Sequence, residues 1–326
     1  MLAINKPAVQ FALALATVLV LPLFLKSGIL ASEILVYALA AVACNLLVGY
    51  TGLLSFGQGI FFGTGSYVAG VLLTRYGVPV WLMLAVACVV GAAIATAVGW
   101  LSIRRQGVYF VMLTLAFAQF FYFLAYTFSG ITGGDNGLLD VPRPVIGRAL
   151  DSPWSYYVFV AVSFLVIFAM MLRATQSTFG RTLVAVRDNQ ERAAAIGFPV
   201  KAFKTAAFAI SGAVTAYAGA LHAMLIGVAP LSNIEYHTSE TILIMTIIGG
   251  SSSLFASVLG ASAYMLLADW LSQLWPRWLL LLGAALVVVA LFLQKGLWGL
   301  VERLWVAAAG GRAPASPAAG TERVEP

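Results

Sequence analysis

The sequence predicts an all-α membrane protein: a polytopic bundle of about ten transmembrane helices, some broken by glycine, with one short helix outside the bilayer. Three observations predict it. Of 326 residues, 62% are hydrophobic and 9% charged, and the mean hydropathy is +0.97, whereas a soluble domain carries roughly 25% charged residues to coat its surface. Uncharged runs of about 18 residues or more, enough to cross roughly 30 Å of hydrocarbon, recur along the chain. Lys and Arg flank those runs, the pattern of membrane topology rather than of nucleic-acid binding, although the formal net charge is +6.

The runs occupy about 8–25, 34–50, 53–74, 80–103, 107–128, 153–172, 205–227, 239–268 and 278–294. The first resembles a signal peptide, with Lys6 before it and Ala31-Ser32 after it, but its 18 apolar residues exceed the h-region of a signal, so it is read as a span. The run 53–74 is punctuated by Gly57, Gly59, Gly63, Gly65 and Gly70, and its Gly59-x-x-x-Gly63 spacing lets helix backbones approach closely. The run 239–268 is too long for one span and is cut by Gly249-Gly250 and Ser251-Ser252-Ser253, which predicts a short helix, a break and a second helix. The strings 52–67 and 249–264 share small residues and a terminal Tyr; an internal repeat and shared membrane-helix composition explain this alike. Residues 307–326 lack the apolar content to fold and are expected to be a disordered tail, leaving 1–306 as the membrane domain.

Orientation follows from the basic residues. With the N-terminus inside and ten alternating spans, 13 of the 18 Lys and Arg fall inside, leaving Lys26, Arg75, Arg143, Arg148 and Arg277 outside. The connection 173–204 carries six basic residues and is expected to be cytoplasmic. The connection 129–152 carries two, with Asp135, Asp140 and Asp151, and is expected to face outward. Both termini are therefore expected in the cytoplasm.

The residue inventory excludes several chemistries. Cys44 and Cys88 lie in apolar runs and build neither a disulfide scaffold nor a zinc site. No G-x-S-x-G elbow with partners and no H-E-x-x-H occurs, and Glu235, His237 and Glu240 read as a hydrated loop rather than a metal site, so neither enzyme activity, cofactor nor metal is expected. Every acidic and basic residue is placed at a span edge or in a loop, which argues against proton coupling, since that needs an intramembrane charge. His222 is the one titratable group within a span and reads as a packing residue. No G-x-x-x-x-G-K-[ST] loop is present, so any ATPase is a separate subunit.

Uncharged polar residues inside the spans are Asn45, Ser55, Gln58, Ser66, Tyr67, Thr114 and Gln119. Each costs free energy against lipid, so each faces another helix or a wet pathway. Most are expected to bond helices together; one or two are expected to line a route, Ser55 and Gln58 first because the glycines around them leave space. In the segment 177–203, Arg181 to Val186 reads as a short helical turn. Asp188 or Asn189 then caps a second helix through Ala193-Ala194-Ala195, which Gly197 and Pro199 terminate. A topological connection needs no such punctuation; a knob that docks into a partner does.

The strings GYTGLLSFGQGIFFGTGSYVAG (49–70), GVYFVMLTLAFAQ (107–119), TGGDNGL (132–138) and FGRTLVAVRDNQERAAAIG (179–197) resemble the permease subunits of ATP-binding-cassette importers for branched-chain amino acids, in particular the LivM-type branch, which also includes urea and amide permeases. The resemblance covers roughly 30–295, and GGSSSLF (249–255) departs from the family's glycine-richer form. It implies a second, LivH-like permease subunit, two cytoplasmic ATPase subunits and a periplasmic substrate-binding protein. It also implies that the loop 174–204 couples to the ATPases through Gly180, Arg181, Arg187, Asp188, Asn189, Glu191, Arg192 and Gly197, with the helix near 188–196 seated in an ATPase cleft. The turn-rich Gly133, Gly134, Asp135 and Asn136 either dock the binding protein or close a turn. The rival expectations are a urea or amide permease, a transporter working alone, and a membrane-embedded enzyme.

Overall fold

The computed structural model describes residues 6–25, 27–143, 152–292 and 296–308. Its α-helices in chain order are α1 (Pro7–Phe24), α2 (Gly28–Asn45), α3 (Gln58–Arg75), α4 (Val80–Ser102), α5 (Val108–Thr127), α6 (Ser129–Thr132), α7 (Pro153–Gln176), α8 (Thr178–Asp188), α9 (Gln190–Ala195), α10 (Val200–Ile226), α11 (Tyr236–Gly249), α12 (Leu254–Leu274), α13 (Trp278–Phe292) and α14 (Gly296–Ala308). α2 runs on into a π-helical turn, Leu46–Thr51. Among the described residues the extended pairing is a single antiparallel bridge, Leu138 to Ala229.

Among the described residues seven helices are long and apolar enough to cross a membrane: α1, α2 with its π turn, α4, α5, α7, α10 and α12. The remaining expected spans form α3, which is glycine-rich and less apolar, and α11 and α13, which have 14 and 15 residues. The long run 239–268 divides as its Gly-Ser cluster predicts: α11 ends at Gly249, Gly250 takes φ +108°, and α12 starts at Leu254. Gly249 lies against the Ala256 backbone and Gly260 against Met245, so the two helices fold back on one another at close range despite the departure from a glycine-richer string.

α2 is apolar over most of its surface and, beyond its first turn, is buried on most sides, as such a helix must be. α10 packs across α2, α3 and α4. Close approach there depends on missing side chains: Gly65 of α3 sits on the Ala216 backbone, Gly219 of α10 on Phe62, and Gly91 and Gly212 face each other between α4 and α10. In contrast, α1 and α5 expose broad apolar faces, Leu19, Leu23 and Phe24 on one and Tyr109, Met112, Phe120 and Phe123 on the other. α14 was not singled out in the sequence; Trp298 anchors it, buried against Phe255. The tail expected from 307 lies, from 309 onward, outside the described residues, as do residues 144–151 of the loop 129–152.

One expectation is corrected. α2 begins at Gly28, where the chain abuts Pro153, and not near 34, so Glu33 stands inside the helix rather than before it. Its carboxylate lies 4.0 Å from Nε2 of His222, whose Nδ1 is 3.3 Å from Nδ2 of Asn233; Asn233 donates to Oγ of Ser66 at 3.0 Å. A helix start set by an N-cap and a packing contact is not visible in a hydropathy run. His222 is nonetheless a buried packing residue, bordered by Tyr37 and Phe62.

Candidate functional site

The segment between α7 and α10 is a folded unit at one end of the bundle. α8 spans three turns, more than the Arg181–Val186 turn read from local signals, because Leu183 and Val186 bury one face while Gly180 lets its start press on the Thr175 backbone. Tertiary packing of that face supplies what a short isolated helix lacks. Val186 of α8, Ala193 of α9 and Val200 of α10 form a small apolar core of their own. Phe179 stacks on Phe203 at 5.8 Å, and Lys204 Nζ donates to Gln190 Oε1 at 2.6 Å.

Asn189 is the cap of α9, its Oδ1 accepting from the Arg192 N–H at 2.8 Å. Gly197, at φ +95°, turns the chain back toward α10. The named residues then separate into two groups. Asn189, Glu191, Arg192 and Gly197 are exposed at the tip. Arg187 is turned the other way: its Nε and Nη2 donate to Asp188 Oδ1 at 3.2 and 3.1 Å, and its Nη1 donates to the Gly49 carbonyl in the π turn. Gly180 is buried at the base, and Arg181 borders a cleft of about 630 Å³ with Gln10, Tyr50, Gln176, Arg187 and Ser251. Two residues absent from the sequence-derived site join the tip: Ile196 and Phe198, 71% and 42% exposed. Exposed large apolar side chains beside Ala194 and Ala195 give the knob an apolar cap inside a charged rim, the composition of a docking surface. Their signal in the sequence was the pair of apolar residues straddling a terminating glycine.

The polar residues of the spans are mostly consumed in holding helices together. Asn45 Nδ2 donates to the Ser253 carbonyl at 2.7 Å. Ser55 Oγ accepts from Gly57 N–H, and Thr114 Oγ1 accepts from Phe56 N–H. Gln58 grips α10 at both ends, donating to Ser211 Oγ at 3.1 Å and accepting from Thr215 Oγ1 at 2.8 Å, while Ser211 donates to the Ala43 carbonyl. Ser66 accepts from Asn233. Two differ. Tyr67 borders an apolar cleft of about 440 Å³ between α3 and α5, and its buried hydroxyl makes no hydrogen bond among the described residues. Gln119 is exposed near the middle of α5.

At the opposite end of the bundle, Gly133 and Gly134 take φ +80° and +63° and close a turn: Thr132 Oγ1 donates to the Ala125 and Phe128 carbonyls, and Gly133 abuts Gly137. Leu138 then pairs with Ala229, and Arg143 donates to the last carbonyls of α10, Met224 and Leu225. Asp135 and Asn136 stand exposed at the crest.

This arrangement, a helical bundle with an ordered knob at one end and a sealed turn at the other, coincides with a family match. A family model described as "Branched-chain amino acid transport system / permease component" covers residues 28–291. The chain belongs to this family. The branched-chain amino acid permease LivM of Escherichia coli strain K12 is 26% identical over 325 residues, covering 90% of this chain and 76% of that protein. LivM of Salmonella typhimurium is 25% identical over 292 residues, covering 82% and 69%. The branched-chain amino acid permease LivH of Escherichia coli strain K12 is 27% identical over 213 residues, covering 59% and 68%. No solved structure matches the chain. As a permease of this family the chain is a multi-pass membrane protein and a transporter subunit that works with other subunits, in agreement with the resemblance read from its motifs.

Proposed function

We propose that the chain is the LivM-like permease subunit of an ATP-driven importer of branched-chain amino acids. In this reading it pairs with a LivH-like permease in a bacterial inner membrane, carries two ATPase subunits on its cytoplasmic side, receives substrate from a periplasmic binding protein, and is not itself an enzyme. Both termini and the knob α8–α9 are cytoplasmic, and Asp135 and Asn136 face the binding protein. The observation that carries the proposal is the knob: a separately packed, capped helix pair whose exposed tip combines Glu191 and Arg192 with Ile196 and Phe198. Such a surface gives a soluble partner both apolar area and opposed charges to pair with. Tyr67 and Gln119 are the pathway residues this reading favours: the buried Tyr67 hydroxyl makes no hydrogen bond among the described residues and borders an apolar cleft suited to an aliphatic side chain, and Gln119 is exposed near the middle of α5.

The test is charge reversal at the tip. Glu191→Lys with Arg192→Glu is expected to abolish co-purification of the ATPase subunits and leucine uptake while membrane insertion stays intact. Normal uptake by that variant refutes the assignment of the knob.

A further inference from the structure

The knob must be joined to the helices it moves, and the joint is visible at Arg187. A helix leaves its last carbonyls without intrahelical partners; at the π-helical end of α2, the Gly49 carbonyl receives Nη1 of Arg187 from α8. The stem of Arg187 lies over Gly52, where a Cβ would be 3.0 Å from its Cγ and where the backbone is left-handed at φ +70°. Asp188 holds the other edge of the guanidinium through Nε and Nη2, so the planar fork is fixed between two acceptors on two elements. From Gly49 the contacts continue. Its Cα faces the Ser251 carbonyl and Oδ1 of Asn45, and the Asn45 amide donates to the Ser253 carbonyl. Three elements therefore meet at one glycine: α8, the π turn, and the break between α11 and α12. The π turn is the unusual member of the three, since π-helical turns are rare and frequently lie at functional sites. The cleft of about 630 Å³ beside it, bordered by Gly49, Arg187, Ser251 and Ser252, leaves room for displacement.

We propose that Arg187 is a positioning residue that fastens the knob to the π turn, so that displacement of α8–α9 reaches the membrane helices through Gly49 and passes from there to the α11–α12 break. The proposal rests on the importer reading above and assigns a path within it. It separates two roles that the string VRDNQER merges: the tip binds the motor, and Arg187 relays its motion.

The experiment uses proteoliposomes holding the complete complex, with ATP hydrolysis and leucine uptake measured together. Arg187→Gln is expected to retain co-purification of the ATPase subunits and to raise the ATP hydrolysed per leucine imported at least tenfold. Arg187→Lys, which keeps one cationic donor but not the fork, is expected to fall between the two. Gly49→Ala provides an arm that leaves the knob untouched: its Cβ would collide with Asn45 and the Ser251 carbonyl, and the same uncoupling is expected. Wild-type stoichiometry in Arg187→Gln or in Gly49→Ala overturns the proposal. So does loss of ATPase co-purification in Arg187→Gln, which reduces Arg187 to a residue that keeps the knob folded. Absence of ATP-dependent uptake by the wild-type complex is a different result, which refutes the importer reading itself.

Discussion

Replacing Gly65 by Ala perturbs the close interface between α3 and α10. An added Cβ would stand 2.5 Å from the Ala216 carbonyl carbon and 2.7 Å from its Cα, where ordinary contact begins at 3.4 Å. The nearest obstacle is the Ala216 carbonyl oxygen, closer than either carbon, so no rotamer relieves it and α3 and α10 must part by roughly 1 Å or more; a gap of about 0.5–1 Å forfeits a quarter to a half of the dispersion attraction across it. Overpacking of this kind costs about 1–3 kcal/mol, while Ala gains up to about 1 kcal/mol of helix propensity over Gly. Gly283→Ala in α13 isolates the packing contribution, because it carries the same propensity gain with no atom within 4 Å of the new Cβ. In thermal unfolding of the detergent-solubilised protein, Gly65→Ala is expected to melt lower than Gly283→Ala, by about 2–8 °C. Equal melting temperatures refute the argument that close backbone approach at Gly65 holds α3 on α10.

Three further outcomes follow from the same geometry. Gln58→Leu removes two bonds to α10, each about 0.6 to 1.7 kcal/mol in a membrane, and is expected to lower the melting temperature while leaving the KM for leucine within twofold; a large rise in KM instead places Gln58 in the pathway. Asn189→Ala removes the cap of α9, about 1 kcal/mol, so amide exchange at Ala193 and Ala194 is expected to quicken about fivefold, whereas Asn189→Asp keeps the acceptor and stays near wild type. Arg143→Leu leaves the Met224 and Leu225 carbonyls without their donor, and faster exchange over the last turn of α10 is the expected readout, with unchanged exchange counting against the capping role.

Local signals made much of this protein legible. The Gly-Ser cluster at 249–253 marks the break between α11 and α12, and Asp188 or Asn189, of which the structure uses Asn189, and Gly197 mark the ends of α9, because caps and left-handed turns act over three or four residues. What stayed hidden was set by contacts distant in sequence. Gly49 and Arg187 are 138 positions apart, and no periodicity connects them, so Arg187 is grouped in the sequence with the residues that couple to the ATPases and its bond to the π turn is not legible. Glu33 was placed outside a span because hydropathy locates charges, whereas the helix start is fixed by Ser27 and the contact of Gly28 with Pro153. The polar residues of α2 and α3 were legible as inward-facing but not as to their partners: whether Gln58 meets water or Ser211 and Thr215 depends on which face α10 presents.

The most direct test of the central claim is a photo-crosslinking residue at Asn189 in whole cells, alongside a membrane-impermeant thiol reagent applied to a cysteine at the same position. The account predicts a covalent adduct between the chain and an ATPase subunit, and protection of the cysteine from reagent supplied outside the cell. Labelling from the outer face, or a tip that captures no protein when the ATPase subunits are present, contradicts it.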